Sequence, residues 1–396
     1  MKLLVGWDEA QEAELIGLYL GASGNEVSLV RCAEELEREV ANGTIWDAVL
    51  MPTNFPDWER GYQTLTRIQA AQPECPVVGA CHPEDLFRIA RFLMKGMRSY
   101  VLRDRGQDFV FLLQTTVETV VQAVQAEREH KLSERLREEI ESVRKLQESI
   151  IPNNLRGPAG YSLCARYEPS QIRILGGQPV AMAGGDYYDV FTIDEKNAVL
   201  LVGDASGHGM KACMSIMTMH TLVRMIRGNH YRQTSAFVAE VNRMMSEQSI
   251  VTGDGGFITL LYGILFGDLH EFHWSSAGHP VPLLHNLETN EVAPLEADNQ
   301  GGMPLGIVSD EAYCQCVSKI PPHSRLLLYT DGLVEAFAEG DGEHREFGIS
   351  GIIETLKGCR EQPLDRTLHE LFEASRRFTG GAGRHDDTSV LIAERA

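Results

Sequence analysis

The sequence predicts a multidomain protein with an α/β doubly wound parallel sheet at its amino end, a coiled-coil helical linker, and an α+β sandwich at its carboxyl end. Three observations support this prediction. Strand-like and helix-like segments alternate over residues 1–125, a polar helical pattern covers 126–150, and β-rich segments with a few helices between them fill 151–396. A chain of 396 residues also exceeds one typical core, so two or three domains are expected.

In the first domain, short apolar runs predict buried strands, and the stretches between them predict helices. The strands are predicted at 2–6, 27–32, 46–51, 76–81 and 99–102, with helices at 57–71 and 83–95 among them. Strands that alternate with helices indicate a parallel sheet covered by helices on both faces.

A long polar helix is predicted over about 114–150. Its apolar residues recur three and four positions apart, at Leu132, Leu136, Val143, Leu146 and Ile150. This spacing predicts a two-stranded coiled-coil seam and therefore a homodimer through the linker, although Glu139 occupies one apolar position. The alternative is a single amphipathic helix packed on its own domain.

Residues 151–396 change to a β pattern. Strands are predicted at 197–202, 257–266, 269–274, 325–329 and 388–392, and helices at 210–227, 234–247 and 366–379. Strands that pair with near neighbours and carry helices outside them indicate an α+β sandwich. The methionine-rich run over 210–225 has helical spacing, which predicts core packing more than a binding groove.

Composition excludes several classes of function. The formal charge of −20 argues against a nucleic-acid-binding surface, because phosphate backbones bind Lys and Arg. No apolar run approaches the roughly 18 residues needed to cross a bilayer, and the segment before Asp8 is too short for a signal peptide. We therefore expect no membrane partner and a cytoplasmic location. The eight cysteines include no Cys-x-x-Cys pair, which argues against a zinc site.

Aspartate stands beside glycine or a second aspartate at four places that flank apolar strands. The motifs are Gly184-Gly185-Asp186-Tyr187-Tyr188-Asp189, Gly203-Asp204-Ala205-Ser206-Gly207-His208-Gly209, Tyr329-Thr330-Asp331-Gly332 and His385-Asp386-Asp387-Thr388. A single Asp-Gly is usually a turn, but several carboxylates at buried strand ends repel each other and need a compensating charge. Divalent cations supply that charge, and all-oxygen ligands favour Mg²⁺ or Mn²⁺. Two such cations can activate a water against a phosphorus atom, so that no protein nucleophile is needed.

These motifs occur in order with three others. The others are Ala277-Gly278-His279-Pro280, Pro304-Leu305-Gly306 and the longer Leu328-Tyr329-Thr330-Asp331-Gly332-Leu333-Val334-Glu335-Ala336. Together they resemble the stage II sporulation protein E and RsbU branch of the metal-dependent (PPM, type 2C) protein phosphatases. The resemblance covers about 146–396, including residues 147–152, which are similar to the family's Gln-x-x-hydrophobic-hydrophobic-Pro.

The resemblance implies a site for two or more Mn²⁺ or Mg²⁺ ions. Asp186 would bridge both metals, and Asp204 with the carbonyl of Ala205 would complete one site. Asp331 and Asp386 would complete the other, and all four aspartates would act in catalysis through a metal-activated water. Asp189 and Asp387 are weaker candidates with a supporting role. The segment 171–182 is longer than usual for this branch, which suggests a surface hairpin near the site.

Other residues invite catalytic roles that the sequence favours less. Ser206 lacks the Gly-x-Ser-x-Gly spacing of a nucleophile elbow and is predicted to be a turn residue. His208 and His279 each lie in a glycine-rich turn, where loop packing is favoured over a general base. For Arg384, a solvent-exposed side chain is at least as well supported as a contact with the substrate phosphate.

Residues 1–125 resemble a response-regulator receiver domain that has lost its chemistry. The third strand ends at Pro52, where that family carries its phosphate-accepting aspartate, and the acidic pair near the first strand is reduced to Asp8, helped by Glu9. Cys81 and Arg103 stand at the positions of the family's hydroxyl residue and lysine. Proline supplies neither a nucleophile nor a metal ligand, which predicts a pseudo-receiver kept for interactions, with a regulatory protein as its partner.

The resemblance implies a phosphoserine or phosphothreonine protein phosphatase in bacterial signalling. Its substrate would be a phosphorylated protein of the anti-sigma-factor antagonist type, with regulation through the pseudo-receiver and linker. Two alternatives stay open at this point: a catalytically silent adaptor that binds a client through the phosphatase fold, and a phosphatase of small phosphate esters.

Overall fold

The computed structural model describes residues 1–104, 108–152, 154–172, 180–181, 183–229, 233–296, 301–338, 345–380 and 386–396. By its internal contacts the chain divides into two compact units, Met1–Leu136 and Arg137–Ala396.

The first unit is built around a five-stranded parallel sheet. Its elements are β1 (Lys2–Gly6), α1 (Ala10–Ala22), β2 (Glu26–Val30), α2 (Ala33–Ala41), β3 (Ala48–Pro52), α3 (Trp58–Ala71), β4 (Val77–Cys81), α4 (Ile89–Lys95) and β5 (Met97–Leu102). The strand order is β2-β1-β3-β4-β5, with every pair parallel. The predicted parallel α/β sheet is confirmed. Because β3 and β4 are covered by helices on both faces, all their residues are buried, and both read as continuous apolar runs.

Pro52 is the last residue of β3, as predicted, and it lies beside Ala80 of β4. Asp57 comes after the strand and caps α3, where its carboxylate accepts a hydrogen bond from the backbone N–H of Arg60. The carboxyl end of β3 therefore presents no carboxylate of its own.

Arg103, directly after β5, lies among three acidic side chains that follow β1. Its guanidinium donates to Glu12 at 2.7 Å, to Glu9 at 3.0 Å and to Asp8 at 3.1 Å. The Arg103 and Glu12 side chains are only 5% and 7% exposed, and Trp7 donates a further hydrogen bond to Glu12 at 2.8 Å. Glu12, the buried member of this cluster, has no signal of its own in the sequence. The three carboxylates thus have Arg103 as their counter-charge.

A single helix, α5 (Phe109–Ile150), begins in the first unit and ends in the second. It starts five residues earlier than predicted, because Phe109, Val110, Leu113 and Val117 pack into the core of the first unit. Beyond this core the predicted seam positions Leu132, Leu136 and Leu146 are exposed by 60%, 56% and 55%. The first part of α5 therefore follows the packed-helix alternative. In the later part the three leucines are uncovered, whereas Val143 and Ile150 are half-buried and Ile150 packs against the core of the second unit.

By length and composition alone, one 18-residue window of α5 is apolar enough to cross a bilayer, and 39% of that window is buried in the structure. The expectation that no segment reaches this threshold is therefore wrong. The core helix of a soluble protein passes the same test, so the observation is weak evidence for a membrane span.

The second unit is a sandwich of two five-stranded antiparallel sheets between helices. Its strands are β6 (Tyr161–Glu168), β7 (Gln171–Ile172), β8 (Val180–Ala181), β9 (Asp186–Thr192), β10 (Asn197–Ala205), β11 (Ile258–Phe266), β12 (Glu271–Ala277), β13 (Leu283–Asn286), β14 (Glu291–Pro294), β15 (Cys316–Lys319), β16 (Ser324–Tyr329) and β17 (Thr388–Arg395). Its helices are α6 (Met210–Ile226), α7 (Thr234–Ser246), α8 (Ser249–Thr252), α9 (Asp331–Val334), α10 (Gly348–Gly358) and α11 (Leu364–Phe378).

The sheets have the orders β15-β12-β11-β10-β9 and β14-β13-β16-β17-β6. One apolar cluster lies between them and combines residues of both, such as Phe272 and Trp274 with Leu326 and Leu391. A second cluster joins the first sheet to α6 and α7, and a third joins the other sheet to α10 and α11. The predicted sandwich is confirmed, and its strands alternate between these layers.

The prediction for the methionine-rich helix is wrong for most of its methionines. In α6 only Met219 is fully buried, whereas Met210, Met214 and Met225 are exposed. The core face of the helix is formed instead by smaller and branched residues, including Ala212, Ile216 and Val223.

Replacing Arg103 should destabilise the first unit, because Arg103→Met leaves the Glu12 carboxylate buried without its cation. We expect a loss of about 3 kcal/mol in the free energy of unfolding. The measurement is urea unfolding followed by fluorescence, since three of the four tryptophans, Trp7, Trp46 and Trp58, lie in this unit.

The matched control is Arg98→Met. Arg98 is on β5 and forms an exposed ion pair with Glu127, which should contribute little. Equal unfolding midpoints for Arg103→Met and Arg98→Met would show that Arg103 is not the buried counter-charge of the cluster.

Candidate active site

The four aspartate motifs meet at one edge of the sandwich. Asp186 opens β9 and lies opposite Asp204 near the end of β10 in the antiparallel register. From the other sheet, Asp331 follows the end of β16, and Asp386 precedes the start of β17. These last two strands are neighbours, and the backbone N–H of Thr330 donates to the carbonyl of Ser389 at 3.0 Å. Each sheet thus brings two aspartates to the same place.

Burial and mutual repulsion dominate the electrostatics of this edge. Burial, with the charges of Asp387 and Asp331, holds the pKa of Asp186 well above its usual range, and a 2.6 Å hydrogen bond from the Thr330 hydroxyl opposes that rise. Burial and then the charge of Asp186 raise the pKa of Asp204. Burial also raises the pKa of Asp331, and that of Asp386 to about 6. The set cannot all ionise at neutral pH without added positive charge.

The donors at this edge suit a hard divalent cation. Asp331 Oδ1 is buried and has no hydrogen-bond partner. This strong acceptor is therefore available to a cation or a water molecule. The neighbouring groups are carboxylate and carbonyl oxygens, which Mg²⁺ and Mn²⁺ prefer to the nitrogen and sulfur ligands of zinc. Within the described part of the chain, no three His, Cys, Asp or Glu side chains already converge as a metal-binding group. The oxygen donors at this edge thus suit a cation chemically, although their side chains do not converge on a single point.

Glycines allow the backbone to approach these carboxylates closely. A Cβ on Gly185 would lie 2.6 Å from the carbonyl oxygen of Ala205 and 3.1 Å from Asp204 Oδ1. A Cβ on Gly332 would lie 1.9 Å from the backbone oxygen of Asp387. No side chain fits at either position unless the backbone moves, and this explains why glycine accompanies aspartate in these motifs.

Two polar side chains fix the segment that leads into Asp186. Asp387 accepts hydrogen bonds from the backbone N–H groups of Ser170 at 2.7 Å and Gly185 at 2.6 Å. Gln147, near the end of α5 and 1% exposed, accepts from the N–H of Gly184 at 2.8 Å. Its amide nitrogen donates to the carbonyls of Gly184 and Asp186 at 3.1 and 3.2 Å. The helix therefore holds the strand that carries the central carboxylate.

Asp189 lies elsewhere, because it is three residues beyond Asp186 and side chains alternate along a strand. It faces α6, where it pairs with Arg224 at 2.9 Å and accepts from the Tyr187 hydroxyl at 2.9 Å. Asp387 supports the site directly, whereas Asp189 supports the packing of α6 on β9.

The less favoured residues have local roles or lie outside the description. Ser206 Oγ accepts from the N–H of Phe257 at 3.0 Å, as expected of a turn residue. His208 is exposed. In the long segment 171–182, β7 pairs with β8 in antiparallel fashion, as a hairpin requires. Residues 173–179 and Arg384 lie outside the described residues.

A sandwich of this topology with acidic strand ends at one edge defines the class of metal-dependent protein phosphatases of type 2C. The sequence profile of the family described as stage II sporulation protein E (SpoIIE) matches residues 194–396, just over half of the chain. The chain belongs to the SpoIIE family, and it is a protein phosphatase.

Comparisons with individual proteins agree with the family. The chain is 24% identical over 321 residues to the phosphoserine phosphatase RsbU of Bacillus subtilis, covering 79% of this chain and 87% of RsbU. It is 26% identical over 162 residues to the phosphoserine phosphatase RsbP of the same organism, covering 39% of this chain and 37% of RsbP.

Among solved structures, the SiaA-PP2C domain of Pseudomonas aeruginosa aligns with a TM-score of 0.54 at 17% identity, over 67% of this chain and 98% of that domain. The RsbU and RsbW domains of Rv1364c from Mycobacterium tuberculosis align with a TM-score of 0.50 at 24% identity, over 62% of this chain and 63% of that one. At these identities the structures support the fold alone.

Adding a methyl group at Gly332 should disrupt the site, because Gly332→Ala pushes the backbone of Asp387 away from that of Asp331. Since displacements of about 1 Å can cost roughly 100-fold in rate, we expect at least that loss of metal-dependent turnover of p-nitrophenyl phosphate. The matched control is Gly358→Ala at the end of α10, where a Cβ meets nothing within 4 Å. Normal turnover by Gly332→Ala would contradict the close packing of these two segments.

Proposed function

We propose that this phosphatase hydrolyses phosphoserine or phosphothreonine on a protein substrate in bacterial signalling, using two or more Mn²⁺ or Mg²⁺ ions. The observation that carries the proposal is the convergence of Asp186, Asp204, Asp331 and Asp386 from both sheets, with Asp331 Oδ1 buried and unpartnered.

Each residue of the proposed site has a distinct role. Asp186 would contribute to holding both ions from the centre of the cluster, Asp204 and the Ala205 carbonyl would hold one ion, and Asp331 and Asp386 would hold the other. When bound, the ions offset the charge of the phosphate and lower the pKa of the attacking water. The Thr330 hydroxyl orients Asp186 by donating to its Oδ2. Asp387 and Gln147 keep the backbone of residues 184–186 in place.

The substrate class rests on the relatives and on charge. RsbU and RsbP are both phosphoserine phosphatases, which supports phosphoserine as the group removed here. The chain has a net charge of −20, so a phosphate needs local positive charge to enter, and the ions provide it. We propose a phosphorylated protein of the anti-sigma-factor antagonist type as the substrate and the cytoplasm as the location.

Regulation is proposed to pass through the first unit and α5. Pro52 and the Arg103 cluster argue against aspartyl phosphorylation, so a protein that binds the first unit is the proposed signal. If that protein favours one position of α5, Gln147 transmits the difference to the strand that carries Asp186. The exposed leucines of α5 are proposed to pair with a second copy of the chain as a coiled-coil dimer.

Two other functions are weaker. A silent adaptor would not need the metal carboxylates, but all four are present and come together at one edge. A phosphatase of small esters would turn over free phosphate esters and leave phosphoproteins unchanged. No observation in the structure favours it over a protein substrate.

Metal dependence tests the chemistry. The full chain should hydrolyse p-nitrophenyl phosphate with Mn²⁺ or Mg²⁺ and stop with EDTA. Asp331→Asn removes the unpartnered carboxylate at constant size, so turnover should fall by at least about 100-fold. Asp310→Asn, at an exposed position, is the matched control and should retain full turnover.

On one peptide sequence, the phosphoserine and phosphothreonine forms should be substrates, which separates the proposal from a small-ester phosphatase. Absence of turnover in the full chain, with bound Mn²⁺ demonstrated, would favour the silent adaptor.

The linker is tested with two variants. Leu132→Lys with Leu136→Lys places charges on the seam and should convert a dimer to a monomer by light scattering. Deletion of residues 1–136 removes the first unit as well, so turnover should differ from that of the full chain. If the wild-type chain is a monomer in solution, the coiled-coil seam is excluded. If the chains with and without the first unit have equal turnover, whether or not the regulatory protein is present, coupling between the first unit and the active site is excluded.

A further inference from the structure

A cavity lies directly beside the acidic edge, and no step of the proposed chemistry uses it. It lies between the turn after β10, the first half of α6 and the segment 251–257, and its volume is about 220 Å³. Pockets for whole small molecules run from about 300 to 1,000 Å³, so this one suits a single side chain. Its walls come from all three segments and include Ala205, Ser206, Lys211, Ser215, Val251 and Phe257.

Hydrogen bonds connect the walls of the cavity. Ser206 Oγ accepts from the backbone N–H of Phe257 at 3.0 Å, and the backbone N–H of Ser206 donates to the Phe257 carbonyl at 2.9 Å. On α6, the amino group of Lys211 donates to the carbonyl of Gly253 at 2.6 Å. The Ser215 hydroxyl donates within its own helix, to the carbonyl of Lys211 at 3.1 Å. The cavity is therefore enclosed by segments that are joined to each other.

The cavity shares a residue with the proposed metal site. Ala205 lines the cavity, and its carbonyl would hold an ion together with Asp204. A phosphoserine whose phosphate lies at that ion therefore has its neighbouring residues close to the cavity. Successive residues of an extended chain are about 3.3 to 3.6 Å apart, so a residue one or two places from the phosphoserine comes within reach.

The walls favour an uncharged side chain about the size of leucine. Ala205 and Val251, each 2% exposed, and the ring of Phe257 supply apolar surface. The hydroxyls of Ser206 and Ser215 are engaged in the hydrogen bonds between and within the walls. A carboxylate in the cavity would be repelled by the aspartates of the neighbouring metal site.

We propose that this cavity is a substrate subsite, which takes an uncharged side chain about the size of leucine that lies one or two residues from the phosphoserine. The metal site contacts the phosphate that all substrates share, whereas the subsite distinguishes them by their local sequence. The inference rests on the proposed function, because it needs the phosphate to lie at the ion that Asp204 and Ala205 would hold.

The test is the steady-state kinetics of the full-length protein with Mn²⁺ on phosphoserine peptides that share one alanine-based sequence. Leucine or glutamate replaces alanine in turn at the two positions before and the two positions after the phosphoserine. Since a fitting apolar group in a pocket is worth about 10- to 200-fold in kcat/KM, we expect leucine to be preferred over alanine about tenfold at one of these positions. The difference should lie mainly in KM, because the subsite binds substrate and transition state alike.

Ser215→Leu fills the cavity, so the leucine-to-alanine ratio of kcat/KM should fall from about ten to about one. The matched control is Thr221→Leu on the same helix. The Thr221 hydroxyl also donates to the carbonyl four residues earlier, but Thr221 is exposed and outside the cavity, so the ratio should not change. Each ratio compares two peptides on one protein, so a general loss of activity does not alter it.

Val251→Ala enlarges the cavity and decides the question if Ser215→Leu does not fold. It should shift the preference at the same position from leucine towards phenylalanine. The inference is overturned if the leucine preference is unchanged in folded Ser215→Leu, or in Val251→Ala when the leucine variant is unfolded. A preference for glutamate over leucine also overturns it, because the charge of Lys211 then determines the choice. If the wild-type chain hydrolyses none of the peptides, the proposed function fails; if it hydrolyses them all equally, only the subsite fails.

Discussion

Repulsion among buried carboxylates is the constraint on which the second unit depends. Asp186, Asp204, Asp331 and Asp386 sit where two sheets meet, and burial there raises the pKa of every one of them. A folded chain tolerates such a cluster only if hydrogen bonds hold it in place and a cation completes it. The hydroxyl of Thr330, the amides around Asp387 and the side chain of Gln147 provide the first condition. The oxygen-only donor set suits the second.

The sandwich explains how four distant segments meet. Each sheet delivers two strand ends to the same edge, and the apolar layer between the sheets, with Phe272, Trp274 and Leu391, fixes their separation below it. The edge itself is wide enough for polar groups because glycine replaces larger residues at 184, 185 and 332, where a Cβ would overlap neighbouring atoms. Rigid strands below and small residues above are a combination that suits a preorganised site.

The structural features that could be predicted are those whose sequence pattern is confined to a few neighbouring residues. Strand and helix alternation reveals the parallel sheet, and aspartate beside glycine at strand ends marks the acidic edge, because each signal lies within a few residues. Glu12 and Gln147 had no comparable signal. Glu12 is an ordinary charge on a helix until Arg103, 91 residues later, is brought beside it. Gln147 belonged to a recognised motif, but its hydrogen bonds to Gly184 and Asp186 exist only in the folded chain. The start of α5 was missed because its first turns are buried and apolar, unlike the rest of the helix.

The Arg103 cluster has an evolutionary consequence. A descendant that exchanged Pro52 for aspartate would still have a guanidinium among Asp8, Glu9 and Glu12, where a receiver keeps space and negative charge for Mg²⁺. Removing the arginine first would leave the buried Glu12 carboxylate unpaired, which lowers the free energy of unfolding of the unit. An aspartate at position 52 alone would therefore meet an end of the sheet that already holds a cation, and loss of the arginine alone would weaken the fold. Substitutions at the end of β3 and at Arg103 are thus coupled, and neither one by itself opens this end of the sheet to a metal ion.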